Sequence, residues 1–402
     1  MRILLISDYA TPSGGAELML LSLRDGLRRR GHDARWFASS ARPLGLPSQA
    51  DYECFGIASS VRGLIQVVNP SAFLRLRQVL REFQPDVAHV RLFLGQLSPA
   101  ILPLLRDVPA IHHVAWYRSI CPIGTKMLPD GASCHEPAGA ACWRHGCFPR
   151  WAWPSAILQM NLTRRWQASF NVVVANSYAT QRRLQAQGVD AAEVVWNGVP
   201  VWPSRGAFAE HPTVAFAGRL LPEKGADLLV DAFAHVAKQF PGARLLIAGD
   251  GPERGKIVSQ IGRLGLGSQV RMLGHLPRPD LEREFAEAWV QVVPSRWEEP
   301  FGLVAAEALM RGMAVIASNA GGLAEFVRHN DNGLLIPPQD TLALAEALHT
   351  LLGNRELACW MGLRGRAFAL QNLTEDIFVD RFVGLYELLC SKQDRLHHQM
   401  TK

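Results

Sequence analysis

No stretch of this 402-residue chain approaches the roughly 18 uninterrupted apolar residues that a membrane-spanning helix requires. Met1-Arg2 ahead of Ile3-Leu4-Leu5-Ile6 has the outline of a secretory leader, but the apolar run stops at Ser7-Asp8 with no cleavage-like segment after it. It reads as a first buried strand, and the expectation is a protein of the cytosol. Charge is also sparse, at 19% of residues against 48% hydrophobic, which excludes a disordered polyelectrolyte. Repeats with a period of about 20 to 50 residues and low-complexity segments are missing. So are GxGxxG and GxxxxGK[ST], which argues against a dinucleotide oxidoreductase or a P-loop NTPase.

What is there is a series of short aliphatic runs, each followed by a helical pattern. They span 2–7, 86–90, 171–175, 213–217, 244–248, 290–293 and 314–317. Strands apolar on both faces that alternate with helices imply parallel sheets covered on both sides. The expected architecture is therefore α/β, twice. Asn197-Gly198-Val199-Pro200-Val201-Trp202-Pro203-Ser204-Arg205-Gly206 holds two prolines and two glycines, so it marks a boundary. The expected domains are 1–200 and 206–375, with a last helix over 375–390 crossing back to the first, a polar frayed tail from Ser391, and a ligand cleft between the domains.

The charge is uneven. Residues 1–190 hold 21 Lys and Arg against 12 Asp and Glu, or +9; the remainder holds 21 against 24, or −3, which sums to the net +6. A basic first half suits phosphate-bearing ligands or an anionic lipid surface. No recognisable nucleic-acid motif accompanies it, so nucleic acid is not an expected partner.

Three segments carry chemistry. Gly218-Arg219-Leu220-Leu221-Pro222-Glu223-Lys224-Gly225 sets two cations just ahead of a helix start near Ala226, which reads as a diphosphate clamp or as a solvated turn. Ser295 to Glu307 runs from a strand end into a nearly all-apolar helix, with Glu299 in the loop and Glu307 inside the helix. A carboxylate in such a helix needs a partner, and a nearby Arg is the plain alternative to a ligand. For Glu299 the plain alternative is satisfaction of helix-start amides. Asp8 to Glu17 carries the pair Gly14-Gly15, where a phosphate or sugar can approach the backbone closely.

Taken together, Gly14-Gly15-Ala16-Glu17, Arg30-Gly31-His32, Asn197-Gly198-Val199, Gly218-Arg219-Leu220 with Lys224-Gly225, Ala248-Gly249-Asp250-Gly251-Pro252, Glu299 with Glu307, Gly321-Gly322-Leu323-Ala324-Glu325 and Asn332-Gly333-Leu334-Leu335 resemble the retaining glycosyltransferases of family 4. The resemblance covers nearly the whole chain and is densest over 213–390. It implies a GT-B fold, two Rossmann-like domains with parallel sheets facing across a cleft, and transfer of a sugar from a UDP- or GDP-linked donor to a saccharide or lipid-linked saccharide. By the same resemblance Arg219 and Lys224 would hold the donor diphosphate without a divalent metal. Glu307 would accept from the ribose hydroxyls and Glu299 from those of the sugar. Amides around Phe301, Gly302 and Leu303 would steady sugar and phosphate, and Gly14 and Gly15 would close over the diphosphate. The base would sit near Leu273-Gly274-His275-Leu276. Surface or secreted glycan assembly is the implied setting, at the inner face of a membrane where the acceptor is lipid-linked. Two other readings are open, a non-catalytic nucleotide-sugar-binding protein and a nucleotide-sugar epimerase of similar fold.

The chain departs from the family in one place. Members carry a His a few residues before a Cys-Pro pair, and here Ala115 falls in that register, ahead of Cys121-Pro122. His113 is the substitute expected to reach the donor sugar, with His112 next. Four of the seven cysteines, Cys121, Cys134, Cys142 and Cys147, lie in a Pro- and Gly-rich insertion over 121–147 with His135 and His145 between them. Intervals of 12, 7 and 4 residues match no standard zinc ribbon, so structural zinc, free thiols and a disulfide are all open, and catalysis is expected to need no cofactor. Phe148 to Pro154 and Arg164-Arg165-Trp166 combine Trp with Arg, which suits either an interfacial membrane segment or a helix packed under the neighbouring strand.

Overall fold

The computed structural model describes residues 1–12, 14–57, 63–203, 206 and 208–400, so Ser204 and Arg205 of the expected boundary lie outside the described residues. The chain divides into two compact units, Met1–Gly198 with the segment from Glu375 onward, and Val199–Thr374.

The first unit opens with β1 (Arg2–Ser7), α1 (Gly15–Arg29), β2 (Asp33–Ser39) and β3 (Tyr52–Cys54). It continues with α2 (Gly63–Val67), α3 (Pro70–Phe83), β4 (Val87–Leu92), β5 (Ala110–Val114), α4 (Ala140–Arg144) and α5 (Trp153–Arg165). After β6 (Val172–Ala175), α6 (Tyr178–Gln185) and β7 (Glu193–Val194) the chain enters the second unit. The seven strands form one parallel sheet in the order β3-β2-β1-β4-β5-β6-β7.

The second unit runs β8 (Thr213–Ala217), α7 (Ala226–Ala237), β9 (Arg244–Ala248), α8 (Arg254–Arg263), β10 (Val270–Gly274), α9 (Arg278–Phe285) and β11 (Val290–Val293). It is completed by α10 (Leu303–Arg311), β12 (Ala314–Ser318), α11 (Leu323–Phe326), β13 (Gly333–Ile336), α12 (Thr341–Leu352) and α13 (Arg355–Asn372). Its six strands are parallel in the order β10-β9-β8-β11-β12-β13. In both sheets the chain first winds outward from one central strand, then crosses to its other side. The strand order thus reverses between β1 and β4 and between β8 and β11, the places where open α/β sheets bind ligands.

The last helix, α14 (Glu375–Met400), belongs to the first unit and continues well past Ser391. Phe378, Val379, Phe382 and Tyr386 are at most 1% exposed and join Leu20, Leu23 and Leu27 of α1 in one core. Arg30 fixes the register by pairing with Asp376 and Asp380 at 3.1 and 2.7 Å. No helix among the described residues is long and apolar enough to cross a membrane.

Candidate active site

At the switch point of the second unit, β8 delivers Gly218 and Arg219, and β11 delivers Ser295 to Glu299. The β8 turn is threaded tightly through its neighbour. The amide of Gly218 donates to the Ala248 carbonyl at 3.0 Å and that of Leu220 to the Asp250 carbonyl at 2.9 Å. Gly249 has φ +141°, and a β-carbon there would stand 1.8 Å from the Gly218 oxygen, so only glycine allows this approach. The Gly249 amide donates in turn to the carbonyl of Gly274, at the end of β10.

Lys224 and Glu299, 75 residues apart, meet at 2.5 Å. The Ser295 hydroxyl donates to the same Glu299 oxygen at 2.8 Å, and the Lys224 ammonium lies 5.0 Å from the centre of the Trp297 ring. Glu299 is therefore held by a hydroxyl and an ammonium rather than by helix-start amides. Lys224 keeps two of its three donors for another acceptor. The loops that carry the pair are locked together, because Arg296 binds Asp227 bidentately at 2.7 and 2.6 Å and also donates to the Pro222 carbonyl. Gly225, in the left-handed region at φ +68°, lies against the Pro294 backbone. Arg219 is exposed and forms no side-chain hydrogen bond or ion pair among the described residues.

Glu307 sits on α10 with Arg278 Nη2 at 2.7 Å and Arg311 Nη2 at 3.7 Å. Arg311 is itself paired with Glu282, and the indole of Trp202 lies 4.8 Å from the Arg311 guanidinium and 5.7 Å from that of Arg278. The expected Arg partner of Glu307 is thus real and double. A carboxylate has about four lone-pair sites, so capacity remains for hydroxyl donors. Phe301 and Gly302 are buried and Leu303 partly so. α10 starts without a side-chain cap, which leaves its first amides with no intrahelical acceptor. Gly321 and Gly322 back this loop, the Gly322 amide donating to the Glu299 carbonyl at 2.7 Å.

In the first unit the switch point is closed by Asp8. Its buried carboxylate accepts from the amides of Gly95, Gln96 and Leu97 at 2.7, 2.6 and 3.0 Å. Burial pushes its pKa up against the opposing pull of these amides. Gly14 is extended and Gly15 begins α1, again without a side-chain cap.

The expectation for His113 is overturned. It points into the core of the first unit at 0% exposure, with Arg91 Nη1 2.8 Å and His89 Nε2 3.2 Å from its Nδ1 and the Phe382 ring 4.8 Å away. His112 is no substitute, being stacked on Phe170 at 4.8 Å. Alternation along β5 sends one imidazole to each covered face of the sheet, so neither is open to a ligand. Burial lowers both, His112 to about 4. Cys121, Cys134, Cys142 and Cys147 form no disulfide among the described residues.

Ser295, Trp297, Arg296 with Asp227, and Arg278 were not singled out as site residues from the sequence. Ser295, Arg296 and Trp297 share the loop of Glu299, and that proximity was the visible signal; Asp227 and Arg278 come from other elements.

Residues 13–202 match the family described as Glycosyltransferase Family 4, and residues 203–368 match Glycosyl transferases group 1. A phosphatidyl-myo-inositol mannosyltransferase of Mycobacterium leprae is 29% identical over 370 residues, 88% of each chain. An exopolysaccharide phosphotransferase of Streptomyces coelicolor is 35% identical over 183 residues, 45% of this chain and 19% of that protein. The solved structure of Anabaena Alr3699/HepE in complex with UDP-glucose superposes with a TM-score of 0.68 at 22% identity, covering 96% of this chain and 99% of that one. With glycosyltransferase domains matched over residues 13–368 and two parallel α/β units behind them, the chain belongs to the family-4-like glycosyltransferases of GT-B fold.

Proposed function

We propose that this enzyme transfers a hexose from a UDP- or GDP-linked donor, with retention, to a saccharide or lipid-linked saccharide in the assembly of a surface or secreted glycan. The observation that carries the reading is the cluster at the β8/β11 switch point, where Lys224, Ser295 and Glu299 share one set of contacts and Glu307 is anchored on the adjoining helix. The relatives support it by their names, one a mannosyltransferase and one solved with UDP-glucose.

Sugar transfer passes through an oxocarbenium-like state in which negative charge grows on the departing diphosphate. Arg219 and the unused donors of Lys224, with the uncapped start of α10, are the groups that stabilise that charge in this reading, in the role a divalent ion has elsewhere. Glu299 takes the sugar hydroxyls, and its bond to Lys224 couples sugar position to phosphate position. Glu307, held by Arg278, takes the ribose. The acceptor is deprotonated on the same face with help from the leaving phosphate, which preserves the anomeric configuration.

A lipid-linked acceptor is favoured by the surface of the first unit. Trp151 is 83% exposed, Leu158 and Trp143 are about half exposed, and Arg150 lies 5.4 Å from the Trp143 ring. Trp153 and Trp166, by contrast, pack inward. Burial of His113 leaves the non-catalytic binding reading alive, and turnover separates the two. Incubation with a panel of nucleotide sugars and lipid-linked acceptors, in chelator, should yield product whose anomeric configuration matches the donor. Tight donor binding without transfer to any acceptor would establish a binding protein instead, and inverted product would refute retention.

A further inference from the structure

The four clustered cysteines all line one small cavity, together with Ile120, Pro122, Ile123, Lys126 and Phe148 among others. This part of the first unit has little else to hold it. Between Cys121 and Cys147 the regular structure consists of a single antiparallel bridge, Met127 to Ser133, and the five residues of α4. Its apolar cluster is small, built on Ala138, Cys142 and Met160, of which only Met160 is fully buried. A segment so poor in core is ordinarily stapled by cross-links or by a metal.

The other donors of the insertion are already committed. His145 is 2.8 Å from the Glu136 carboxylate, which also binds Arg144, and His135 is 2.9 Å from Arg183. What remains toward the cavity is sulfur. Lys126 supplies a second, independent observation. It is 4% exposed, its ammonium donates to the Glu136 carbonyl at 2.5 Å, and among the described residues it forms no ion pair with a carboxylate. A buried ammonium needs a counter-charge. The Glu136 carboxylate, which feels the Lys126 charge, is already shared between Arg144 and His145, and four thiolates around a divalent ion, with a net charge of −2, would supply the further counter-charge beside Lys126.

We propose that Cys121, Cys134, Cys142 and Cys147 form a structural zinc site that closes the 121–147 insertion. The soft all-sulfur set favours zinc over magnesium or calcium, which prefer oxygen. Among the described residues no three His, Cys, Asp or Glu side chains are already gathered at metal-binding distance, so the thiols must draw in around the ion as the insertion folds. With four protein ligands the site has no open coordination position, and its role is structural rather than catalytic.

Elemental analysis of the full chain, isolated under reducing conditions without a polyhistidine tag, should give about one zinc per chain. Cobalt substitution should produce the intense visible bands of a tetrahedral thiolate centre. Cys134→Ser should lose the metal and Cys359→Ser, outside the insertion, should keep it. Stripping zinc should raise hydrogen exchange within 121–150 while leaving nucleotide-diphosphate binding to the second unit unchanged, a result independent of the catalytic reading. Should Cys134→Ser fail to fold, metal content and the cobalt spectrum of the wild type still decide. Metal-free protein with normal stability, disulfides found on denaturing alkylation, iron in place of zinc, or zinc retained by Cys134→Ser would each overturn the proposal.

Discussion

In the proposed reading Lys224 bears two loads, because the ammonium assigned to the phosphate also neutralises Glu299, whose side chain is only 6% exposed. Lys224→Ala should therefore weaken UDP or GDP binding by about 1.5–3 kcal/mol, the scale of a charged hydrogen bond. It should also lower the melting temperature, since a buried carboxylate is left with Ser295 alone. Adding Glu299→Gln to Lys224→Ala should recover part of the stability and none of the binding. Calorimetric titration and thermal melts read the two effects separately. Unchanged binding in the single variant would remove Lys224 from the diphosphate site. Both cations and both carboxylates stood out in the sequence, because charges flanking glycine turns and interrupting an apolar helix are conspicuous, and the structure pairs Lys224 with Glu299. Their partners were legible only in part: Ser295 stands four residues before Glu299, but Arg278 reaches Glu307 from an element 29 residues away.

At the scale of elements, one tight turn and two buried strands each carry a prediction. The turn before α7 presses on β11, and a β-carbon on Gly225 would lie 2.1 Å from the Pro294 carbonyl oxygen at a positive φ. Gly225→Ala should destabilise the enzyme by at least about 2 kcal/mol and disturb the Lys224 contact, as denaturant melts and donor titration will show. Wild-type stability in that variant would contradict the close packing. In β4 and β5, His89, His112 and His113 are buried and depressed by desolvation, with Arg91 adding repulsion at His89 and His113. The unfolded chain binds these protons near pH 6.5 and the folded chain does not, so stability is greatest above that pH and falls below it. Each histidine steepens the fall by up to about 1.4 kcal/mol per pH unit. The raised Asp8 acts in the opposite direction, as a single group. His112→Phe, which preserves the stack on Phe170, should flatten the slope between pH 6.5 and 5; an unaltered slope would exclude His112. A ligand role was expected on this strand because the family resemblance implies an imidazole a few residues before the Cys-Pro pair. Only the β5 register and α14, which brings Phe382 and Tyr386 over the sheet, show that they are core. Strands β1, β8, β9 and β11 were legible to the residue, whereas β2, β3, β5, β7, β10 and β13 were not among the expected runs: β3 and β7 are only three and two residues long, β10 is half-exposed, and paired imidazoles interrupt the aliphatic run of β5.

For the molecule as a whole, the α/β class, its duplication and the helix that rejoins the first unit follow from local periodicity and from the breaks around residue 198. The first half carries the +9 and the exposed Trp151, Trp143 and Leu158. Co-sedimentation with phosphatidylglycerol vesicles should accordingly exceed that with phosphatidylcholine, and Trp151→Ser should reduce it several-fold without changing donor affinity. Equal binding to both lipids, or none, would leave the acceptor soluble. The central claim, however, concerns the second unit, and hydrogen exchange with and without UDP and GDP tests it most directly. Protection should concentrate in 218–225 and 295–307. A nucleotide diphosphate that binds tightly while both segments exchange as freely as before would contradict it.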